Sequence, residues 1–362
     1  MLKKIEYKIK NFFDKSIKRA SNPELISQSY AKFKLVEGSR ILLLRQDRIG
    51  DLLVTVPFVR SLRSAFPKIE IDILLSNKNF SAKRAIDSYV NNIYTYDKNI
   101  FKTLSLIASL KRRNYDIIID MFDNPSTTSS YLIKMIKPLY SLGFEKENFQ
   151  TYTHIVPLPD KRLVHIVERI ANLLMPFGVN PSNNDLKLSF RLSPAETLRA
   201  KEMMKAIGDR ILGINLSGSD RSKYWGTENY INFILKFSEL FGDFDIVIFS
   251  MPEYKTELDE ILKNTKAKNA PKSNSFVQYA SYLSVCDLIL TPDTAAVHLA
   301  SAFDIPCLSL HLWKNLPQTG IPWTAYNTPQ RNLRTESGKL ADIKVDDAIH
   351  VISELIEENS IS

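Results

Sequence analysis

At 362 residues, with 44% hydrophobic and 24% charged side chains, the chain fits a soluble globular protein long enough for two domains. No apolar run reaches the length of a membrane span and the N-terminus lacks a signal-peptide core, so the protein is expected in the cytoplasm. The net charge of +8 is dispersed and attached to no recognised nucleic-acid module, and two cysteines in apolar contexts, Cys286 and Cys307, argue against a disulfide framework or a zinc site.

Residues 1–20 hold seven Lys or Arg, and Leu2, Ile5, Ile9, Phe12, Phe13 and Ile17 recur at helical spacing. This is a basic amphipathic helix, suited to an anionic membrane surface or to docking on the protein itself, and it opens an N-terminal extension over 1–37. The run 41–44 is a buried strand, followed by Arg45-Gln46-Asp47-Arg48-Ile49-Gly50-Asp51 and a helical pattern to Phe66. Strand, glycine turn and helix open a doubly wound domain, although a lone Gly50 is no dinucleotide fingerprint. Pro57 falls six residues into that helix and predicts a short or kinked first turn. Strands at 69–75 and 115–120 alternate with helices, which implies a parallel sheet.

The turn-rich stretch 178–188 marks a junction, giving domains over 38–182 and 183–345. A second series begins with a strand at 211–216, leads into Ser217-Gly218-Ser219-Asp220-Arg221-Ser222-Lys223-Tyr224-Trp225, and continues with strands at 246–250, 288–290 and 307–310. A helix over Val345–Glu358 makes 346–362 a terminal segment. The stretch 285–306 carries the strongest local signal. Its strand stops near Thr291, Asp293 and Thr294 are cap residues, and a helix over Ala295–Phe303 follows with Val297, Leu299, Ala300 and Phe303 packed on the sheet. That helix points its N-terminus at the carboxyl edge of the sheet, where anions bind. His298 shares a face with Thr294 one turn away; a phosphate can touch both, and a packed core histidine is the plainer reading.

Assembled, these residues resemble the heptosyltransferase family, which adds heptose from ADP-heptose to the inner core of lipopolysaccharide. Three ordered stretches carry the resemblance: Gly50-Asp51 with Leu53 and Pro57; Gly218 with Lys223-Tyr224-Trp225; and Asp293-Thr294 with His298, Ala300 and Pro306. The resemblance implies an α/β GT-B fold, with two doubly wound Rossmann-like domains facing a central cleft. It further implies an inverting, metal-independent transfer with no resident cofactor, the donor on the C-terminal domain and the acceptor on the N-terminal one. Carried over by position, Asp51 matches the catalytic base, Lys223 a donor-phosphate contact, and Asp293, Thr294 and His298 the donor site, with Ser217 and Gly218 in the same donor loop. Ala295 stands where the family has glycine, the acidic donor contact falls on Glu253 or Glu257, and His311-Leu312-Trp313-Lys314-Asn315 replaces a Gly-Pro-Thr-like turn.

Displacing a nucleoside diphosphate from a sugar carbon needs a base on the attacking hydroxyl and positive charge for the leaving group. Asp51 suits the first need and Lys223 with the Thr294 helix end the second; their plainer readings are an N-cap carboxylate and a solvated loop lysine. Asp120 and Asp123 follow a strand end in the N-terminal half and, like Asp47, are candidates to face the acceptor, and Arg48, Arg60, Arg63 and Lys78 are candidate cations for a lipid A–Kdo acceptor, each otherwise a solvated charge. Asp243-Phe244-Asp245 has metal-motif spacing but precedes its strand and reads as a turn. The expected partners are therefore ADP-heptose, a lipid-linked acceptor and the anionic inner face of the cytoplasmic membrane, not nucleic acid. Two other functions stay open: transfer of a hexose or N-acetylhexosamine on the same fold, and nucleotide-sugar binding without turnover.

Overall fold

The computed structural model describes residues 22–216, 218, 220–312 and 323–359. The expectations placed on residues 1–20, on Ser217 and on 313–315 lie outside them. The described chain divides into two compact units, one running to Asp160 and adding Ile166–Leu186, the other made of Lys161–His165 and the chain from Lys187 onward.

In the first unit, the strands are β1 (Glu24–Leu25), β2 (Arg40–Leu44), β3 (Glu70–Ser76), β4 (Asn92–Tyr96), β5 (Ile117–Asp120), β6 (Tyr140–Phe144) and β7 (His154–Val156). They pair in parallel in the order β1-β7-β6-β5-β2-β3-β4. The helices are α1 (Ile49–Leu53), α2 (Val56–Ala65), α3 (Ile100–Arg112), α4 (Thr127–Ile136) and α5 (Ile166–Ala171). β2 is central because its Ile41, Leu42, Leu43 and Leu44 are apolar on both faces, as a strand covered twice must be. The helical pattern expected through Phe66 is broken at Val54 and Thr55, and Pro57 sits in the first turn of α2, where its missing N–H costs nothing.

The second unit contains α6 (Pro194–Lys205), β8 (Ile211–Asn215), α7 (Thr227–Leu240), β9 (Asp245–Phe249), α8 (Lys255–Asn264), β10 (Lys268–Asn269) and α9 (Phe276–Leu283). It continues with β11 (Leu288–Pro292), α10 (Ala295–Phe303), β12 (Cys307–Leu312), β13 (Gln330–Thr335) and α11 (Val345–Glu358). Its strands pair in parallel as β10-β9-β8-β11-β12-β13. Trp225, fully buried, donates its indole N–H to the Ile343 carbonyl at 2.8 Å, and Ile352 and Leu355 of α11 join the same core. The terminal helix is thus part of this unit's core.

Both sheets reverse strand order at one point, between β2 and β5 in the first and between β8 and β11 in the second. In doubly wound sheets, ligands bind beyond the carboxyl ends of the strands flanking such a point, because the connections run off in opposite directions there and leave a crevice. Each unit therefore offers one place for a site, and the chemistry-bearing residues fall at both. Among the described residues, no helix is long and apolar enough to cross a membrane.

Candidate active site

In the second unit, β8 and β11 deliver Asn215 and Thr291 side by side at the reversal point. Asn215 Nδ2 donates to Thr291 Oγ1 at 3.0 Å and to Thr294 Oγ1 at 3.1 Å, which ties the start of α10 to the end of β8. Thr294 is the N-cap, and its hydroxyl accepts the Ala296 N–H at 3.2 Å. The remaining first-turn N–H groups and the positive end of the helix dipole face the carboxyl edge of the sheet.

Gly218 brings a lysine to that helix end. A Cβ on Gly218 would lie 3.0 Å from Lys223 Cβ, tighter than an ordinary contact, and 3.4 Å from Thr294 Cγ2, so bare backbone lets the lysine approach without giving way. Lys223 Nζ donates to the Asp293 carbonyl and to Asp293 Oδ2, each at 2.6 Å. Burial pushes the Asp293 carboxyl up, but the Lys223 ammonium outweighs it and holds the group below the usual carboxylate range.

His298, one turn along α10, is 2% exposed, its Nδ1 has no hydrogen-bond partner among the described residues, and it meets Trp323 edge-on with centroids 5.9 Å apart. Burial lowers its pKa to about 3, against the opposing pull of Asp293, so the ring is neutral. Of the two acidic candidates after β9, Glu257 is paired with Arg221, whereas Glu253 lies exposed in the turn Pro252–Tyr254. Asp243 pairs with Arg210 and Asp245 with Lys268, so both carboxylates of the Asp243-Phe244-Asp245 stretch are taken up by lysine or arginine at the amino end of β9.

In the first unit, the turn after β2 carries Asp47 and Asp51. Asp51 is the third residue of α1, and its Oδ2 accepts the Arg48 N–H at 3.2 Å. The N-cap position itself belongs to Arg48, which corrects the simple N-cap reading of Asp51. Arg45, 1% exposed, donates Nε to the Asp51 carbonyl at 2.8 Å and Nη1 to the Met121 carbonyl at 2.9 Å, spanning β2 and β5 across the reversal point. It forms ion pairs with Asp47 at 3.2 Å and Asp51 at 3.6 Å. Burial raises both carboxyls against the pull of Arg45. The Asp51 side chain remains 20% exposed, so a hydroxyl can reach it.

Several acceptor-side expectations are corrected. Asp120 is fully buried, paired with Lys146 at 3.0 Å and accepting the Tyr152 hydroxyl at 2.5 Å, so it anchors the end of β5 and offers no oxygen to a ligand. Asp123 is paired with the buried Arg169 at 3.0 Å. Arg60 holds Asp185, and Arg63 donates to the carbonyls of Tyr89, Pro67 and Ile69 and to Asn91, which makes both structural arginines. Arg48 stays exposed beside Asp51. Sequence reasoning missed Arg45, Asn215, Lys146 and Tyr152. Arg45 alone left a signal, a charge set directly behind four buried aliphatic residues.

The lipopolysaccharide heptosyltransferase 3 of Escherichia coli K12 is 23% identical over 340 residues, covering 86% of this chain and 97% of that protein. Among solved structures, a glycosyl transferase family 9 protein from Veillonella parvula superposes with a TM-score of 0.74 at 19% identity, covering 90% of this chain and 99% of that one. The Escherichia coli heptosyltransferase WaaC, solved with ADP, superposes with a TM-score of 0.65 at 17% identity, covering 89% and 98%. The likeness establishes the α/β GT-B fold with its two parallel sheets. With residues 103–350 matching the model of glycosyltransferase family 9 (heptosyltransferase), more than half of its length, the chain belongs to that family.

Proposed function

We propose that the protein transfers heptose from ADP-heptose to the inner core of lipopolysaccharide, with inversion and without an obligatory metal ion. The observation that carries this is the convergence of the Lys223 ammonium and the N-terminus of α10 around Gly218, at the reversal point of the second sheet. A leaving diphosphate develops charge, and an ammonium beside oriented N–H groups stabilises it without a cation. Thr294, Ala295 and Gly218 cradle the diphosphate, Asp293 holds Lys223 at the helix end, His298 backs the site, and Glu253 and Ser217 complete the donor side. The relatives named for heptose transfer, and the ADP held by one of them, are consistent with this reading.

In the first unit, Asp51 accepts the proton of the acceptor hydroxyl as that oxygen bonds to the anomeric carbon, and ADP departs with the electron pair of the broken C–O bond. Arg48 faces the anionic groups of a lipid-linked acceptor. The reaction takes place at the inner face of the cytoplasmic membrane, where that acceptor is made, with residues 1–20 on the anionic surface.

The test is nucleotide release from ADP-heptose, ADP-glucose and UDP-N-acetylglucosamine with a lipid A–Kdo acceptor, and the product anomer read by NMR. Turnover with ADP-heptose, inverted product and a rate indifferent to a chelator are expected. Faster turnover with a hexose or N-acetylhexosamine donor would move the protein to another sugar. Binding of ADP without turnover of any donor would make it a binding protein.

A further inference from the structure

Asp47 and Asp51 stand four residues apart and share one cation. Arg45 Nη1 lies 3.2 Å from Asp47 Oδ2, and Nη2 lies 3.6 Å from Asp51 Oδ1. The guanidinium is held by the Asp51 and Met121 carbonyls and lies over the Phe122 ring at 5.6 Å, so it cannot follow one carboxylate away from the other. Among the described residues its Nη2 makes no hydrogen bond, and Asp47 Oδ1, also buried, receives none. The other charges around the pair are matched or outward. Asp120 faces Asp47 but is paired with Lys146, Asp123 faces Asp51 but is paired with Arg169, and Arg48 lies on the exposed side of Asp51. The Ser76 hydroxyl, from β3, donates to the Asp47 carbonyl and to Asn79 Oδ1 rather than to the Asp47 carboxylate. One guanidinium charge therefore serves two carboxylates.

We propose that Asp47 is a positioning residue for the transfer reaction: by sharing Arg45 with Asp51 it fixes the Asp51 carboxylate, and its charge makes Asp51 a better proton acceptor. Two like charges on one cation disfavour full ionisation of both. When Asp51 takes the acceptor's proton, that repulsion is removed and Arg45 is left matched to Asp47 alone. Proton transfer to Asp51 thus gains a driving force that a lone, arginine-paired carboxylate lacks, because such a pair resists protonation. The proposal rests on Asp51 as the base.

The experiment is the pH dependence of kcat and kcat/KM for Asp47→Asn and Asp47→Ser on the lipid-linked acceptor, with Asp47→Glu as the conservative variant. Removing the neighbouring charge lowers the affinity of Asp51 for a proton, so the acidic limb moves to lower pH by on the order of one unit. The plateau kcat falls by up to about ten-fold as the base weakens, while donor KM holds. Asp47→Glu keeps the charge and retains most of the wild-type limb. A limb that stays in place in both neutral variants, whether the plateau falls uniformly or not at all, overturns the proposal and leaves Asp47 a packing residue. Asp51→Asn run in parallel separates the two readings. If it keeps turnover, the base assignment fails; if it loses turnover while the Asp47 variants leave the limb unmoved, only the role of Asp47 fails.

Discussion

Lys223 Nζ sits 2.6 Å from both the carbonyl and the Oδ2 of Asp293, so an internal carboxylate holds its ammonium in place. A diphosphate must compete with Asp293 for that charge, and its net gain is smaller than a fresh charge-assisted hydrogen bond of about 1.5–3 kcal/mol. Lys223→Ala is expected to weaken ADP binding by about ten-fold, measured by calorimetry, and to lower kcat more than it raises donor KM. Unchanged ADP affinity together with unchanged turnover would remove Lys223 from the donor site.

Gly218 gives a second handle on the same site. A methyl group there would press on Lys223 Cβ at 3.0 Å while meeting Thr294 Cγ2 at an ordinary 3.4 Å. The lysine, as the flexible neighbour, gives way. Gly218→Ala is expected to reproduce much of the Lys223→Ala loss in ADP affinity while shifting the melting temperature by little, since the displaced chain is a flexible lysine that is 21% exposed. Full ADP affinity in the alanine variant would show that Lys223 need not stand over the α10 terminus.

What the sequence made legible follows from which signals are local. The helix Ala295–Phe303 and its Thr294 cap were readable because a cap residue, an apolar face and the end of a buried strand all lie within a dozen positions. The break before α2 was readable from Pro57 alone. β13 was not, because Gln330–Thr335 is a half-buried edge strand with polar side chains, and neither was the three-residue β7. Among charges, a sequence distinguishes poorly between one that serves chemistry and one that ties chain to chain. Arg60, Arg63, Asp120 and Asp123 each have partners 26 or more residues away in the chain. Those partnerships are tertiary, so no local pattern announced them.

The buried neutral His298 has a consequence for acid stability. Burial drops its pKa from the ordinary 6.5 to about 3, so between those values the unfolded chain binds a proton that the folded one does not. Its contribution is fully present above about pH 6.5 and is lost as pH falls toward 3, with a slope of at most about 1.4 kcal/mol per pH unit. Chemical denaturation from pH 8 to pH 4 is expected to show a shallower decline in His298→Gln than in wild type. Parallel curves would mean that the ring is charged or exposed in the folded protein.

Asp120 provides the sharpest separation of a structural carboxylate from a ligand-binding one. Lys146 Nζ reaches Asp120 Oδ2 at 3.0 Å, the Phe122 carbonyl at 2.5 Å and the Asn124 carbonyl at 3.2 Å, while Tyr152 donates its hydroxyl to the same Asp120 oxygen at 2.5 Å. The lysine thereby clamps the loop after β5 to the end of the sheet, and that loop carries Met121, which holds Arg45. Lys146→Met leaves a buried carboxylate with no cation and two carbonyls without their donor, a change expected to cost about 3–5 kcal/mol. Asp120→Asn in the same background removes the stranded charge, so the double variant is expected to recover part of the loss, and a double-mutant cycle reads the coupling directly. Were Asp120 instead an acceptor contact, Asp120→Asn alone would raise acceptor KM with stability intact. The expected result is the reverse, lower stability by urea denaturation and an acceptor KM close to wild type in the folded fraction.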